Sequence, residues 1–463
     1  MSKPLGDAPA SSLSINDLFS GQMPARLAAQ AEALGPVFRQ PLMSSDGAGG
    51  EIVYLVGAEA NKLVFNTHRD AFGHDDGWTP IIGDLMGSGL LNQDGAAWAR
   101  SRKMWNPAFT TAYMETYLPL MQRVIAEHTA GWAARGEVDL FQEAREITFH
   151  VAATALAGID RPEAVARLQQ LFYLLLPRQG GFTNQEAYDT YEREALAAKD
   201  ELDATLLALI AARRAASDTP PRDVLSMILR ARDDEGKGLT DDEVLGHLYI
   251  LLVAGHETTT TLAAWTLYLL ATQPEQRRPV EAELAATGVH PFAPSIGPHG
   301  DAPGAPGAES PLSVEAARNL HALDLFIRET GRLHSPVQNV PRGVVEEVEF
   351  AGYTLPVGTH LRVALAACHR MPRYFADPGQ FDPSRFAPPR EEDRKTPYSL
   401  VTFGGGPRLC IGVNFANIEV KALAVDVLRR YTLTPTTPEP PLELGFITVS
   451  IPSGMPVRVA PRG

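Results

Sequence analysis

The sequence predicts a mainly α-helical protein with small β-sheets, an α+β fold. Three observations carry that prediction. From about residue 95 onward, most segments place apolar residues at i, i+3 and i+4, the spacing of one helix face. Residues Asp241 to about Ala271 form one long run that is apolar almost all round, the pattern of a helix running through a core. Strand-like runs occur only near the two ends of the sequence.

In chain order, residues 1–25 are rich in Ser, Ala, Pro and Gly and are expected to be a loosely attached, flexible segment. Residues 26–463 are expected to form a single domain. Glu51–Val56 reads as a strand and Ala58–Asn66 as a short helix. Helices are predicted over Trp98–Phe109, Thr111–Arg135, Leu140–Ala157, Glu163–Leu176 and Tyr188–Ala216, the last stopped by Thr219-Pro220-Pro221. Thr240 is the expected N-cap of the long helix, with Asp241, Asp242 and Glu243 in its positive first turn. At 1.5 Å per residue that helix spans roughly 46 Å. Residues 288–311 hold 5 Gly and 6 Pro and read as an insertion with no hydrophobic stripe. A helix over Ser313–His334, strands over Val344–Phe350 and His360–Ala366, and a helix over Val413–Arg430 complete the prediction.

Charge and cysteine content narrow the function. The chain has 463 residues, with 41 Lys+Arg against 55 Asp+Glu and a net charge of −14. It has no long basic run, so nucleic-acid binding is not expected. The N-terminus lacks the charged-then-apolar pattern of a signal peptide, and the most apolar run, Leu248–Ala254, is far short of the roughly 20 residues a membrane span needs. A cytoplasmic protein without a transmembrane anchor is expected. The two cysteines, Cys368 and Cys410, cannot make a disulfide framework or a four-thiolate zinc site.

The strongest local signal surrounds Cys410: Phe403-Gly404-Gly405-Gly406-Pro407-Arg408-Leu409-Cys410-Ile411-Gly412. Three glycines allow close backbone approach. A helix start and Arg408 favour a thiolate. Such a thiolate suits a metal ligand or a nucleophile; a phosphate-gripping turn with an incidental Cys is the plainer alternative. Cys368 ends an apolar run, Ala364-Leu365-Ala366-Ala367-Cys368, and reads as a packing residue.

This loop resembles the haem-binding loop of the cytochrome P-450 family, Phe-x-x-Gly-x-Arg-x-Cys-x-Gly. Phe403, Gly406, Arg408, Cys410 and Gly412 fill every defined position. The resemblance implies the cytochrome P-450 fold with its long central helix over haem b, and Cys410 as axial ligand of the haem iron, a ligation that favours O–O cleavage. Further motifs follow the family's order. Ala254-Gly255-His256-Glu257-Thr258-Thr259 resembles the oxygen-activation motif. That implies Thr258 as the hydroxyl bonding dioxygen, Glu257 as a proton relay and Gly255 as the residue leaving room. Glu329-Thr330-Gly331-Arg332 and Phe381-Asp382-Pro383-Ser384-Arg385-Phe386 resemble the family's paired motifs, implying a buried Glu329–Arg332–Arg385 network. Gly331 departs from the usual larger apolar residue. Trp98 and Arg102, with Arg342 and Arg408, match the propionate-binding positions.

The resemblance covers residues 25 to 460 and implies a monooxygenase. The implied partners are dioxygen, a lipophilic substrate, and a separate ferredoxin or flavodoxin with an NAD(P)H reductase. The protein is expected to be a monomer. Arg100, Lys103 and Lys421 are the expected basic docking patch. The expected pocket segments are the loop 72–91, the helix-pair region 172–182, Val253, Ala254, Pro336–Val340 and the turn 446–448, mostly apolar, which favours a carotenoid or terpenoid. A fatty acid or macrolide is the alternative. Asp75, Asp76 and Asp84 would disfavour an anionic head group if they face inward. A peroxide-driven enzyme is disfavoured by the presence of Glu257-Thr258. A haem-thiolate sensor would call for a signalling segment.

Overall fold

The computed structural model describes residues 2–14, 17, 20–42, 50–175, 185–215, 223–289, 312–445 and 448–462. The predicted insertion lies almost wholly outside them. Its principal helices are α1 (Met23–Leu34), α2 (Asp75–Met86), α3 (Gly95–Trp105), α4 (Thr111–Thr129), α5 (Leu140–Ala157), α6 (Pro162–Leu175), α7 (Gln185–Ala215), α8 (Asp241–Thr272), α9 (Pro274–Thr287), α10 (His321–Leu333) and α11 (Val413–Arg430). The largest sheet has five strands: β1 (Val37–Leu42), β2 (Gly50–Leu55), β3 (Phe72–Gly73), β4 (Val340–Val344) and β5 (His360–Val363), in the order β1-β2-β5-β4-β3. It joins the first quarter of the chain to residues beyond 340. β2 and β5 run parallel, and the other pairs are antiparallel.

The long helix begins as its sequence dictates. Thr240 Oγ1 accepts from the Glu243 N–H at 3.2 Å, and Glu243 returns a carboxylate to the Thr240 N–H at 2.7 Å, a reciprocal capping box. From Val244 to Leu270 most of α8 is buried. Its main neighbour is α5, whose apolar face meets it along its length. Thr148 of α5 and Thr260 of α8 join hydroxyls at 2.7 Å inside that contact, so the pair carries no unmet hydroxyl there.

Several expectations change. The first residues are not loose: Lys3–Pro4 pair in parallel with Tyr353–Thr354, and Arg39 Nε donates to the Ala8 carbonyl at 2.8 Å. The segment Ser313–His334 is two helices, Val314–Arg318 and α10. The strand predicted over His360–Ala366 stops at Val363, since Leu365–Cys368 form one helical turn, and Val344–Phe350 holds only the end of β4 and a separate strand, Val348–Phe350. The loop expected before Leu91 contains α2, despite Gly77, Pro80 and Gly83. Its start is capped from outside: Asp94 Oδ2 accepts the N–H groups of His74 and Asp75 at 2.7 and 2.8 Å. A cap from twenty residues away leaves no local signal.

Behind the Cys410 loop lies a charge network. Glu329 is fully buried and takes Arg332 Nε and Nη2 at 2.7 and 2.8 Å, and Arg385 Nε at 2.9 Å. Arg385 also reaches Glu392 at 2.8 Å. Arg332 donates to the carbonyls of His369 and Pro378, both at 2.8 Å. The His369 ring in turn accepts the Val401 N–H at 3.0 Å, two residues before Phe403. Thus α10 is tied to the segment leading into the loop. Gly331 fits this contact: a Cβ there would sit 2.9 Å from Thr402 Cγ2, too close for a larger residue.

Glu329→Gln removes the charge that two buried arginines share. Breaking one partner of such a set costs about 3–5 kcal/mol. The urea midpoint of unfolding should fall accordingly; an unchanged midpoint would show the network to be dispensable.

Candidate functional site

The loop that carries Cys410 is shaped by backbone contacts. Gly404 and Gly406 have φ of +74° and +64°, and a Cβ on Gly406 would lie 1.9 Å from the Phe65 carbonyl oxygen. No side chain fits there. The Cys410 N–H donates to the Phe403 carbonyl at 2.9 Å, closing the loop. α11 starts three residues later, capped at Gly412.

Cys410 opens into a cavity of about 660 Å³. Enclosure by the surrounding protein raises its thiol above the ordinary range; the Gly412 N–H and the Arg102 charge pull it down. Cys368 differs in kind. It is fully buried, its Sγ donates to the Ser399 carbonyl at 3.4 Å, and burial holds its thiol far above the ordinary range.

Of the predicted cofactor residues, Arg102, Arg342, Phe403, Arg408, Cys410 and Gly412 line the cavity, whereas Trp98 and Gly406 do not. Trp98 instead lies under Arg408, whose guanidinium sits 4.3 Å over its ring. Arg408 also donates to Asp94 at 2.8 Å, so one carboxylate holds both the start of α2 and the Cys410 loop.

The cations outnumber their partners. Arg342 is 4% exposed, and among the described residues its one side-chain hydrogen bond is Nη1 to the Pro341 carbonyl at 2.6 Å. Burial, then the nearby Arg408 charge, lower it to about 9. Arg408 Nη1 is buried without a partner. His74, also in the cavity wall, is lowered well below its ordinary range by burial and then by Arg342 and Arg408. The sequence places His74 inside the expected pocket segment 72–91 without singling it out, and it gives Asp94 no role of its own. Buried guanidiniums with unused donors suit a ligand carrying carboxylates. A thiolate candidate, a glycine cradle and these cations together fit haem, with its iron and two propionates.

On the opposite wall, Val253, Ala254, Gly255, Glu257, Thr258 and Thr259 face the cavity from mid-α8. Thr258 Oγ1 donates to the Ala254 carbonyl at 2.8 Å. A Cβ on Gly255 would meet only Leu156 Cδ1, at 3.7 Å, an ordinary contact, so packing alone does not demand glycine there. Glu257 pairs with Arg145 of α5 at 3.1 Å and with His256 at 2.9 Å. Burial would raise its carboxyl; His256 and Arg145 outweigh it and bring the group to about 2. Arg145 carries no motif and was not foreseen. The remaining wall is apolar, including Trp78, Ile81, Ile82, Met86, Leu90 and Leu91 from the α2 region and Pro336, Val337 and Val340 beside β4. Phe172 is elsewhere, packed on Phe149 and Tyr249. Asp75 and Asp76 are exposed. The side chains of Asp84 and of 446–447 lie outside the described residues.

The expected basic patch is not free. Arg100 pairs with Asp233 and Glu243 at 2.7 and 2.9 Å. Lys103 pairs with Asp234 at 2.6 Å, and Lys421 is buried against Asp324 at 3.0 Å. Acidic partners from distant segments neutralise each cation, which spacing in the sequence does not reveal.

A helical body with one long helix across a cavity into which a glycine-wrapped cysteine opens has the architecture of the haem-thiolate class. The cytochrome P450 family model matches residues 17–456, and the chain belongs to that family. A Mycobacterium tuberculosis protein named cytochrome P450 136 is 29% identical over 91% of this chain and 82% of its own length. A sterol 14alpha-demethylase of Mycolicibacterium vanbaalenii is 28% identical over 83% of this chain and 82% of its own. The retinoic acid-bound cyanobacterial CYP120A1 superposes with a TM-score of 0.81 at 25% identity, covering 98% of this chain and 99% of that one. The protein is thus a haem-binding monooxygenase. Among the described residues, no helix is long and apolar enough to cross a membrane.

Gly406→Ala should leave helical circular dichroism intact but lower haem content, read as Soret absorbance per protein. A variant that retains full haem would contradict the close approach to Phe65.

Proposed function

We propose that the protein hydroxylates a lipophilic, uncharged molecule of carotenoid or terpenoid type. Cys410 would be the axial ligand, and Arg102, Arg342 and Arg408 would hold the propionates, with Trp98 supporting Arg408. Haem, when bound, supplies dioxygen activation and insertion of one oxygen atom. Electrons would come from a ferredoxin or flavodoxin with its NAD(P)H reductase, docking on a surface other than Arg100, Lys103 and Lys421. The single-domain, monomeric and cytoplasmic readings belong to the same proposal.

The observation that carries the substrate class is the distribution of polarity in the cavity. Its cations gather around the Cys410 loop, while the α2 region and the β4 edge present an apolar wall and mid-α8 adds Glu257, Thr258 and Thr259. A fatty acid would require a further cation on that wall to hold its carboxylate. The wall's hydroxyls, on Thr258, Thr259 and Thr448, can orient a ketone or alcohol. That relatives include a sterol demethylase and a retinoic acid-bound protein supports an isoprenoid-derived skeleton.

The chain's own groups manage protons and water. Glu257 is ionised at working pH and so can accept and pass on a proton. Thr258 spends its hydroxyl on the Ala254 carbonyl until another acceptor enters the cavity. Apolar walls exclude bulk water, so proton supply is confined to these side chains.

Titration of holoprotein with carotenoids, linear terpenoids, sterols and fatty acids should give a low- to high-spin Soret shift with the isoprenoids. A shift with fatty acids alone would overturn the substrate class. Thr258→Ala should keep haem and substrate binding but divert electrons to hydrogen peroxide. Unchanged coupling would remove Thr258 from proton handling.

A further inference from the structure

His256 sits between Gly255 and Glu257, and no role has yet been given to it. It is fully buried. Nδ1 lies 2.7 Å from the Leu252 carbonyl oxygen, and Nε2 lies 2.9 Å from Glu257 Oε1. A carbonyl oxygen only accepts, so Nδ1 carries hydrogen. An ionised carboxylate also only accepts, so Nε2 carries hydrogen too. Both nitrogens face acceptors, so the geometry offers a place for a proton on each.

The edge of His256 meets Phe149 at 5.0 Å, and its ring lies 6.0 Å from Tyr173. Tyr173 also underlies Arg145, whose guanidinium sits 3.6 Å from its centroid. The charged and titratable groups facing His256 are Glu257 on α8, Arg145 on α5 and Tyr173 on α6, with Glu146 acting on Tyr173 from behind. Both cations use Oε1 of Glu257, and no described residue hydrogen-bonds Oε2. Glu257 itself reaches the cavity.

We propose that His256 is a positioning residue that holds the proton Glu257 delivers. The inference rests on Glu257 acting as the relay. In the step, the Nε2–H bond breaks and the proton moves to a Glu257 carboxylate oxygen. Nδ1–H stays on the Leu252 carbonyl, leaving a neutral imidazole. Glu257 passes the proton to the oxygen acceptor that enters the cavity beside Thr258 and returns to carboxylate. Glu257, whose side chain is 12% exposed beside Arg145, then takes a proton from water and returns it to Nε2 across their hydrogen bond. Arg145 keeps Glu257 a weak proton acceptor, so the carboxyl conducts the proton rather than storing it. The net change is one proton from solvent to the cavity, with no redox step.

The test uses holoenzyme in the ferrous, CO-bound state, which is diamagnetic. Nitrogen-15 histidine NMR, with His256 assigned through contacts to the Phe149 ring, should find both ring nitrogens protonated at pH 7. A singly protonated neutral ring overturns the proposal, whatever any variant does. In turnover, His256→Gln should slow product formation on the order of 10²-fold, the scale of a lost proton-transfer group, and should flatten the pH profile. A wild-type rate and profile in His256→Gln, alongside a slowed Glu257→Gln, overturns this inference alone. Wild-type turnover in Glu257→Gln overturns the relay beneath it.

Discussion

Everything at this site depends on how closely the Cys410 loop is pressed against its surroundings. The backbone at Gly406 runs so near the Phe65 carbonyl that a single added carbon would overlap it. That approach leaves the thiol facing the cavity while the chain turns into α11. It is held from behind by a network in which one buried carboxylate, Glu329, serves two arginines. A buried cluster of this kind adds little net stability compared with apolar packing. Its consequence here is geometric: Arg332 reaches His369, and His369 fixes Val401 at the loop's entrance.

The second wall is set by α8. A helix of 32 residues buried among neighbours gives a rigid beam, and its polar exceptions are therefore meaningful. Thr258, Thr259 and Glu257 occur where the helix faces the cavity, and His256 occurs where it faces Phe149 and Tyr173. Arg145 completes the arrangement from α5, the helix most intimately packed on α8. Rigid elements on both sides give a preorganised site. α2 is attached through Asp94, which also holds Arg408. Substrate-facing and cofactor-facing parts therefore share one carboxylate.

Much of this was legible in the sequence, for physical reasons. α5 and α11 begin and end where their periodicity and caps place them, and the capping box at Thr240 was readable locally. The loop at Phe403–Gly412, the Glu257-Thr258 pair and the Glu329–Arg332 spacing are short-range patterns, and the family resemblance gave them meaning. What was missed depends on contacts between distant segments. α2 forms across Gly and Pro because Asp94 caps it. Lys3–Pro4 are ordered by a strand near residue 353. Arg100, Lys103 and Lys421 read as free cations, but each meets an acid from elsewhere in the chain. Arg145 and His74 gain their roles only from the neighbours the fold brings them.

The most direct measurement is the reduced, CO-bound absorption spectrum of purified holoprotein beside that of Cys410→Ala. Thiolate ligation by Cys410 requires a red-shifted Soret band in the parent protein and its disappearance in the variant. A folded parent protein without haem, or a variant that keeps the red-shifted band, would contradict Cys410 as the iron ligand and with it the assignment of this cavity.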